Sequence, residues 1–214
     1  MVRKLGQAFQ KAFGPRSIIQ FSPPRSGSTL VFNILREVLP GRKIEKTHNY
    51  NPKFSRHKVV VTFRHPLDSI ASGIQRYGRT PSGKEIEVQI KEFSDGGIWD
   101  VLKIRHNPNV LMLKYEKFYN NFDYVFDNLE TFLSIEINRE TRKQILDKYN
   151  IEAVSERVQQ FDGFQHFDAV THWHGNHISP YKGGTDYYKK FFSQEQVDYL
   201  KKVYREFLVA FDYE

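Results

Sequence analysis

Residues 17–29, SIIQFSPPRSGST, decide how this 214-residue chain is read. Ile18 and Ile19 begin an apolar strand, Pro23 and Pro24 stop it, and Arg25, Ser26, Gly27, Ser28 and Thr29 make a small-residue loop. Behind the loop, Leu30, Val31, Ile34, Leu35 and Val38 recur at helical spacing, which predicts a helix over 29–38. Strand, tight loop and helix in that order aim the helix's first N–H groups and its positive dipole end into the loop, an arrangement that holds phosphate. Gly27 lets the backbone approach closely, Ser28 and Thr29 add hydroxyl donors, and Arg25 supplies a permanent cation. The triphosphate-binding pattern GxxxxGK[ST] is not met, since no glycine opens the loop and serine, not lysine, follows Gly27.

A second segment, 58–77, reads KVVVTFRHPLDSIASGIQRY. Val59, Val60, Val61 and Phe63 form an apolar run of the length expected for a strand buried on both faces, which places it in the centre of a sheet. Where a triphosphatase would end this strand in an aspartate for magnesium, here it ends in Arg64, a cation that repels metal and attracts phosphate. Pro66 suits the first turn of a following helix, Asp68 favours its N-terminal end, and Ser72 falls near its second turn.

The order PxxGST with a basic residue before Ser-Gly resembles the 5′-phosphosulfate loop of sulfotransferases that use 3′-phosphoadenosine 5′-phosphosulfate. The spacing from Arg64 to Ser72 is similar to that family's 3′-phosphate signature. The resemblance implies that Arg25, Ser26, Gly27, Ser28 and Thr29 hold the 5′-phosphate and that Arg64 and Ser72 grip the 3′-phosphate. Between the two segments stands Lys46-Thr47-His48, following the short strand-like 43–45. A KTH triplet occupies this place in cytosolic sulfotransferases, which implies that His48 takes the acceptor's proton, with Lys46 near the transferring group. The choice is chemically sensible, because imidazole titrates near neutral pH. Residues 110–115, VLMLKY, read as another buried strand. By the resemblance Tyr115 lies against adenine; it equally suits a strand-end core aromatic. Leu30 stands where many cytosolic members carry an adenine-stacking tryptophan, so stacking has to come from elsewhere. The turn 181–187, YKGGTDY, resembles the family's closing loop over the 3′-phosphate, which carries Lys182 and Gly183 into the cofactor site.

Further helices are expected over 67–77, 84–93, 122–133, 139–160 and 193–211, the last capped by Ser193. Alternation with buried strands argues an α/β fold of three layers, a mainly parallel sheet with helices on both faces, similar to P-loop nucleotide-binding proteins. No linker, repeat or low-complexity tract divides the chain, so a single domain over 1–214 is expected. A net charge of +7 suits a polyanionic co-substrate and an anionic acceptor. Nucleic-acid binding is not expected, because the aromatics are periodic and core-directed.

There is no cysteine, hence no disulfide or thiol chemistry. No apolar segment is long enough to span a bilayer and no signal-peptide pattern opens the chain, which leads to a cytoplasmic expectation. Leu5, Phe9 and Phe13 at helical spacing suggest a short N-terminal helix that docks on the core or touches a membrane surface. His172, His174 and His177 crowd one loop. They fit a mobile loop beside the acceptor better than a metal site, which would want a firmer scaffold. The expected activity is sulfuryl transfer to a hydroxyl or amine of a small-molecule, saccharide, lipid or peptide acceptor, with no metal required. A nucleotide kinase or triphosphatase, and a non-catalytic phosphonucleotide-binding protein on the same fold, remain alternatives.

Overall fold

The structure, a computed structural model, describes residues 17–163 and 165–214. The expected N-terminal helix with Leu5, Phe9 and Phe13 lies outside the described residues. Within them, strands β1 (Ile18–Phe21), β2 (Ile44–Thr47), β3 (Lys58–Phe63) and β4 (Val110–Lys114) form a wholly parallel sheet in the order β2-β1-β3-β4. Ile18 pairs with Ile44 on one side and Lys58 on the other, and Val59 pairs with Val110. β1 and β3 are thus the inner strands; the central place of β3 is the one its apolar run predicts.

Helices cover both faces, and strand alternation decides which residue meets which. On one face Ile19, Phe21, Val59, Val61 and Phe63 pack against α2 (Pro66–Arg76), α3 (Gly83–Asp95), α4 (Ile98–Ile104) and α10 (Gln194–Ala210). On the other, Ile18, Val60 and Leu113 meet α1 (Ser28–Val38), α5 (Tyr115–Phe118), α6 (Phe122–Leu133), α7 (Arg139–Tyr149) and α8 (Ile151–Val158). Each fully buried Val, Leu, Ile or Phe contributes about 1.5–3 kcal/mol, so the inner strands are held by both layers at once. The short α9 (Tyr188–Phe191) precedes α10, whose start carries the expected cap: the Ser193 hydroxyl accepts from the Gln196 N–H, and the Gln196 side chain accepts from the Ser193 N–H.

Three boundaries differ from the sequence reading. The single helix expected over 139–160 is two, because Asn150 ends one and begins the other. Its N–H donates to the Leu146 carbonyl while its side chain accepts from the Ala153 N–H at 2.8 Å. The strand expected to reach Tyr115 stops at Lys114, and Tyr115 opens α5. α4 follows Gly96-Gly97, a pair that reads as a loop; Gly97 turns the chain at φ 84°, in a spot where a Cβ would sit 2.7 Å from the Phe21 ring.

Candidate functional site

The loop between β1 and α1 is locked from beneath. The Ser22 hydroxyl lies 2.6 Å from that of Thr62 on β3 and accepts from the Thr62 N–H at 3.1 Å, while Ser26 donates to the Pro23 carbonyl at 2.7 Å. Ser26, expected to meet the cofactor, therefore turns its fully buried hydroxyl into the loop, 3.2 Å from Thr62. Gly27 has φ 79°, and a Cβ there would lie 2.9 Å from ring atoms of Tyr115 and Phe118. Both the backbone angle and the aromatic floor demand glycine. No side chain caps α1 and no acid occupies its first turn, so its leading N–H groups remain for an anion.

Three cations meet over this loop. Arg64, 3% exposed at the end of β3, donates to the carbonyls of Gly184 (2.6 Å) and Gly183 (3.3 Å) and lies 4.4 Å over the Tyr115 ring; its Nε is buried without a partner. Arg25 donates through Nε to the Ser72 hydroxyl at 2.9 Å and through Nη2 to the His177 carbonyl at 3.4 Å. Lys46 donates to the Thr29 hydroxyl at 2.8 Å. Among the described residues none of the three forms an ion pair with a carboxylate. Burial and the neighbouring Arg76 charge lower Arg25 to about 10 and Lys46 to about 8. Cations desolvated without a counter-charge are costly, and an arriving anion relieves that cost.

Arg25 and Arg64 line a cleft of about 150 Å³, and Lys46 is joined to it through the lining Thr29. Its lining combines Arg25, Gly27, Ser28, Thr29, Arg64 and Ser72 with the apolar or aromatic Phe122, Tyr149, Ile151, Val154 and Trp173. Tyr115 and Gly183 also line it, the Tyr115 hydroxyl donating to the Gly183 carbonyl at 2.8 Å. Lys182 is exposed and outside the lining; its carbonyl accepts from Tyr119 at 3.0 Å and its N–H donates to the Ser179 carbonyl at 2.8 Å. The turn 181–187 is fastened to α2 by Asp68, whose carboxylate accepts from the N–H groups of Asp186 (2.8 Å) and Tyr188 (3.0 Å).

His48 lies beside β1. Its Nδ1 is 2.6 Å from the Ser22 carbonyl, an acceptor only, so Nδ1 carries the proton and Nε2 keeps its lone pair. Burial, then the charges of Lys46 and Arg76, hold it below the usual imidazole value. Arg76, in the last turn of α2, was not singled out from sequence; its Nη2 donates to His174 Nε2 at 2.9 Å. Its spacing, four residues after Ser72 on one helix face, was the available signal. Trp173 and Tyr149, also missed, carry no periodic signal in a loop and at a helix end. Among the described residues no three of His, Cys, Asp and Glu come together as a metal site; the His174 ring instead lies 5.0 Å from that of His177.

The sulfotransferase domain matches residues 37–212. The chain belongs to the sulfotransferase family. The match takes in Lys46, His48, Arg64, Ser72, Tyr115, Lys182 and Gly183 but begins after the Arg25 loop, whose assignment rests on the geometry above. No curated protein matches the chain by sequence. Among solved structures, a mouse sulfotransferase complexed with PAP superposes with a TM-score of 0.67 at 14% identity, over 94% of this chain and 88% of that one. Retinol dehydratase in complex with androsterone and inactive cofactor PAP gives 0.63 at 15%, over 91% and 81%, and its complex with retinol and PAP gives 0.62 at 16%, over the same shares. At such identities these likenesses establish a shared α/β fold. Among the described residues no helix is long and apolar enough to cross a membrane.

Proposed function

We propose that this sulfotransferase-family protein moves a sulfuryl group from 3′-phosphoadenosine 5′-phosphosulfate to a hydroxyl or amine of an acceptor. The observation that carries the reading is a set of cations at one cleft: Arg25 and Arg64 line it beside Ser28, Thr29 and Ser72, Lys46 bonds the lining Thr29, and among the described residues none of the three forms an ion pair with a carboxylate. The residues suit the donor: the orphaned Nε of Arg64 and the uncapped start of α1 call for anions, and the wall of Tyr149, Ile151, Val154 and Trp173 suits a purine in place of the tryptophan that Leu30 replaces.

In this reading Arg64 and Ser72 hold the 3′-phosphate. Arg25, the hydroxyls of Ser28 and Thr29 and the α1 N–H groups hold the 5′-phosphate and take up the charge that grows on its oxygen as the sulfur–oxygen bond breaks. Lys46, fixed by Thr29, sits where it assists the same charge. His48, with Nε2 unprotonated, removes the acceptor's proton as the new sulfur–oxygen bond forms. Tyr115 supports Arg64 and the Gly183 carbonyl and borders the ribose-to-adenine stretch of the cleft. Lys182 and Gly183 close over the 3′-phosphate from the surface turn. These roles need a hydroxyl or amine acceptor, and small molecules, saccharides and lipids all meet that requirement.

Calorimetry with adenosine 3′,5′-bisphosphate (PAP) and with AMP tests the reading. A charge-assisted arginine–phosphate contact contributes about 1.5–3 kcal/mol, so PAP binds tighter by roughly tenfold or more. Equal affinities would remove the 3′-phosphate site and the donor with it.

A further inference from the structure

α1 buries one polar residue for which the donor's phosphates give no reason. Val31, Ile34 and Leu35 are apolar, as a helix face against a sheet requires, yet Asn33 among them is fully buried. Asparagine competes for backbone groups and is a poor helix former, so a buried one inside a helix calls for partners. It has them on both sides. Nδ2 donates to the Thr29 carbonyl one turn back at 2.8 Å and to the Thr171 carbonyl at 2.9 Å, while Oδ1 accepts from Arg36 Nη1 at 3.5 Å. Thr171 belongs to an antiparallel turn, 167–174, that frames itself: the Asp168 N–H donates to the Trp173 carbonyl at 2.8 Å, and the Asp168 carboxylate accepts from the N–H groups of Val170 (2.7 Å) and Thr171 (3.1 Å). The two carbonyls at its tip are taken by α1. Arg36 Nη1 donates to Val170 at 2.7 Å, Asn33 donates to Thr171, and the His172 ring sits edge-on to Phe32 at 4.9 Å. The helix that starts at the phosphate loop thus carries the turn, and the turn carries Trp173, which lines the donor cleft with its ring 5.6 Å from that of Tyr149. Asn33 itself is not part of that lining.

We propose that Asn33 is a positioning residue for the donor: by docking the 167–174 turn on α1 it holds Trp173 as the wall that receives the nucleobase. This inference rests on the sulfuryl-transfer reading and deepens it. The donor makes two unlike demands, since its phosphates want N–H groups and cations while its flat base wants apolar surface. Both kinds of group line one cleft, and Asn33 is bonded to both: to Thr29 in the first turn of α1, and through Thr171 to the turn that holds Trp173. One side chain therefore fixes how far the base wall stands from the phosphate loop. The amide suits this task because it offers two N–H donors and an acceptor at once. Serine in its place bonds only the carbonyl one turn back and leaves that of Thr171 without its donor.

The test is calorimetry on the full chain with two ligands, PAP and methyl β-D-ribofuranoside 3,5-bisphosphate, which keeps the ribose and both phosphates and lacks the base. The native chain binds PAP about tenfold tighter or more, the usual yield of packing a base on aromatic side chains. Asn33→Ser removes most of that preference: PAP weakens by about five- to tenfold and the base-free ligand stays within about twofold. Arg36→Gln, at a partly exposed position, removes the neighbouring hold on Val170 and shifts the ratio the same way by a smaller factor; it carries the test should Asn33→Ser fail to fold. Equal weakening of both ligands would make Asn33 a general support of the fold, unchanged affinity for both would detach the turn from the base, and equal affinities in the native chain would put the base elsewhere. Each of these overturns the proposal, while a preference of the native chain for PAP over AMP leaves the donor reading standing. A native chain that binds neither bisphosphate overturns the donor reading, and this inference with it.

Discussion

Beneath the strand-end wall of the cleft, Ser22, Ser26 and Thr62 bond to one another and to the chain between β1 and α1, whereas the facing loop is tied through its carbonyl oxygens mostly by side chains that line the cleft. Asn33 holds the Thr171 carbonyl, Arg25 that of His177, Tyr119 that of Lys182, Tyr115 that of Gly183 and Arg64 that of Gly184. The first wall is therefore preorganised by uncharged groups that a ligand leaves alone. The second borrows the guanidiniums that an oxyanion would engage, with neutral carbonyls standing where stronger charge-assisted acceptors are wanted. The difference teaches that anion binding and loop closure share the same donors, so substitutions on the two walls have to separate into different observables.

The largest expected effect lies at the seam between the walls. His48→Ala removes the Nδ1 bond to the Ser22 carbonyl but keeps the hydroxyl bonds among Ser22, Ser26 and Thr62, so PAP binding persists while sulfuryl transfer falls by roughly a hundredfold to ten-thousandfold, the range for losing a general base. The sign with pH follows from the active form. Neutral imidazole accepts the proton, and burial depresses its pKa, so the native rate declines only as pH drops through a value below 6.5. A near-normal rate in the variant, or an acid limb centred above 6.5, would point to another base.

Arg25 joins the walls directly, through Ser72 on one side and the His177 carbonyl on the other. If its main work is on charge developing in the transition state, Arg25→Ala raises the barrier by about 3–4 kcal/mol, as for one lost oxyanion donor, and weakens PAP binding far less. Measured rate constants at donor saturation decide this. An unchanged saturating rate with a raised KM would reduce Arg25 to a binding and loop-anchoring residue.

The first wall alone is probed by Gly27→Ala, read by urea denaturation. Left-handed backbone costs a side-chain-bearing residue about 1–2 kcal/mol, and overpacking against Tyr115 and Phe118 adds about 1–3, for roughly 2–5 kcal/mol in all. Gly41 has φ 81° and open space around it, so Gly41→Ala isolates the backbone share. Equal losses at the two sites would mean the aromatic floor yields and does not pin the loop.

How far the sequence could be read tracks the same division. β1, the loop and α1 were legible because Ile18 and Ile19 open an apolar strand and because prolines and Gly27 punctuate it before helical spacing begins. Arg64 was legible as a cation at a strand end, and Ser72 by its distance along one helix. The direction of the Ser26 hydroxyl was not, since Thr62, 36 residues away, decides it. Nor was the pairing of Arg25 with Ser72, 47 residues apart, which brings together groups expected at separate phosphates. Arg76 reads in sequence as an ordinary basic residue ending a helix, and Trp173 as one aromatic in a histidine-rich loop. Their importance comes from the loop that folds across the strand ends, a long-range event with no periodic signature. The split at Asn150 was hidden because asparagine's capping role depends on a backbone turn that helical spacing does not register.

The smallest effect concerns the tether of the second wall. Asp68 holds two N–H groups of the 181–188 segment with one carboxylate, and Gly183 and Gly184 in that segment contact Arg64. Asp68→Asn keeps one amide oxygen as acceptor and presents an NH₂ group to the other N–H, so it loses one charge-assisted bond and adds a donor–donor clash, about 1.5–3 kcal/mol before relaxation. Because the segment lies at the surface, it relaxes by shifting away from α2, and the net loss in PAP affinity falls to about 1 kcal/mol, several-fold in Kd. The strand-end wall is untouched, so the rate at donor saturation is expected to stay within about twofold of native, a difference of under 0.5 kcal/mol in the barrier. Protection of the Gly183 and Gly184 amides from hydrogen exchange, measured with and without PAP, distinguishes the outcomes. Looser exchange in the free variant that PAP restores supports a tethered closing loop, and unchanged exchange together with weaker binding would place the role of Asp68 in the field around Arg64 alone.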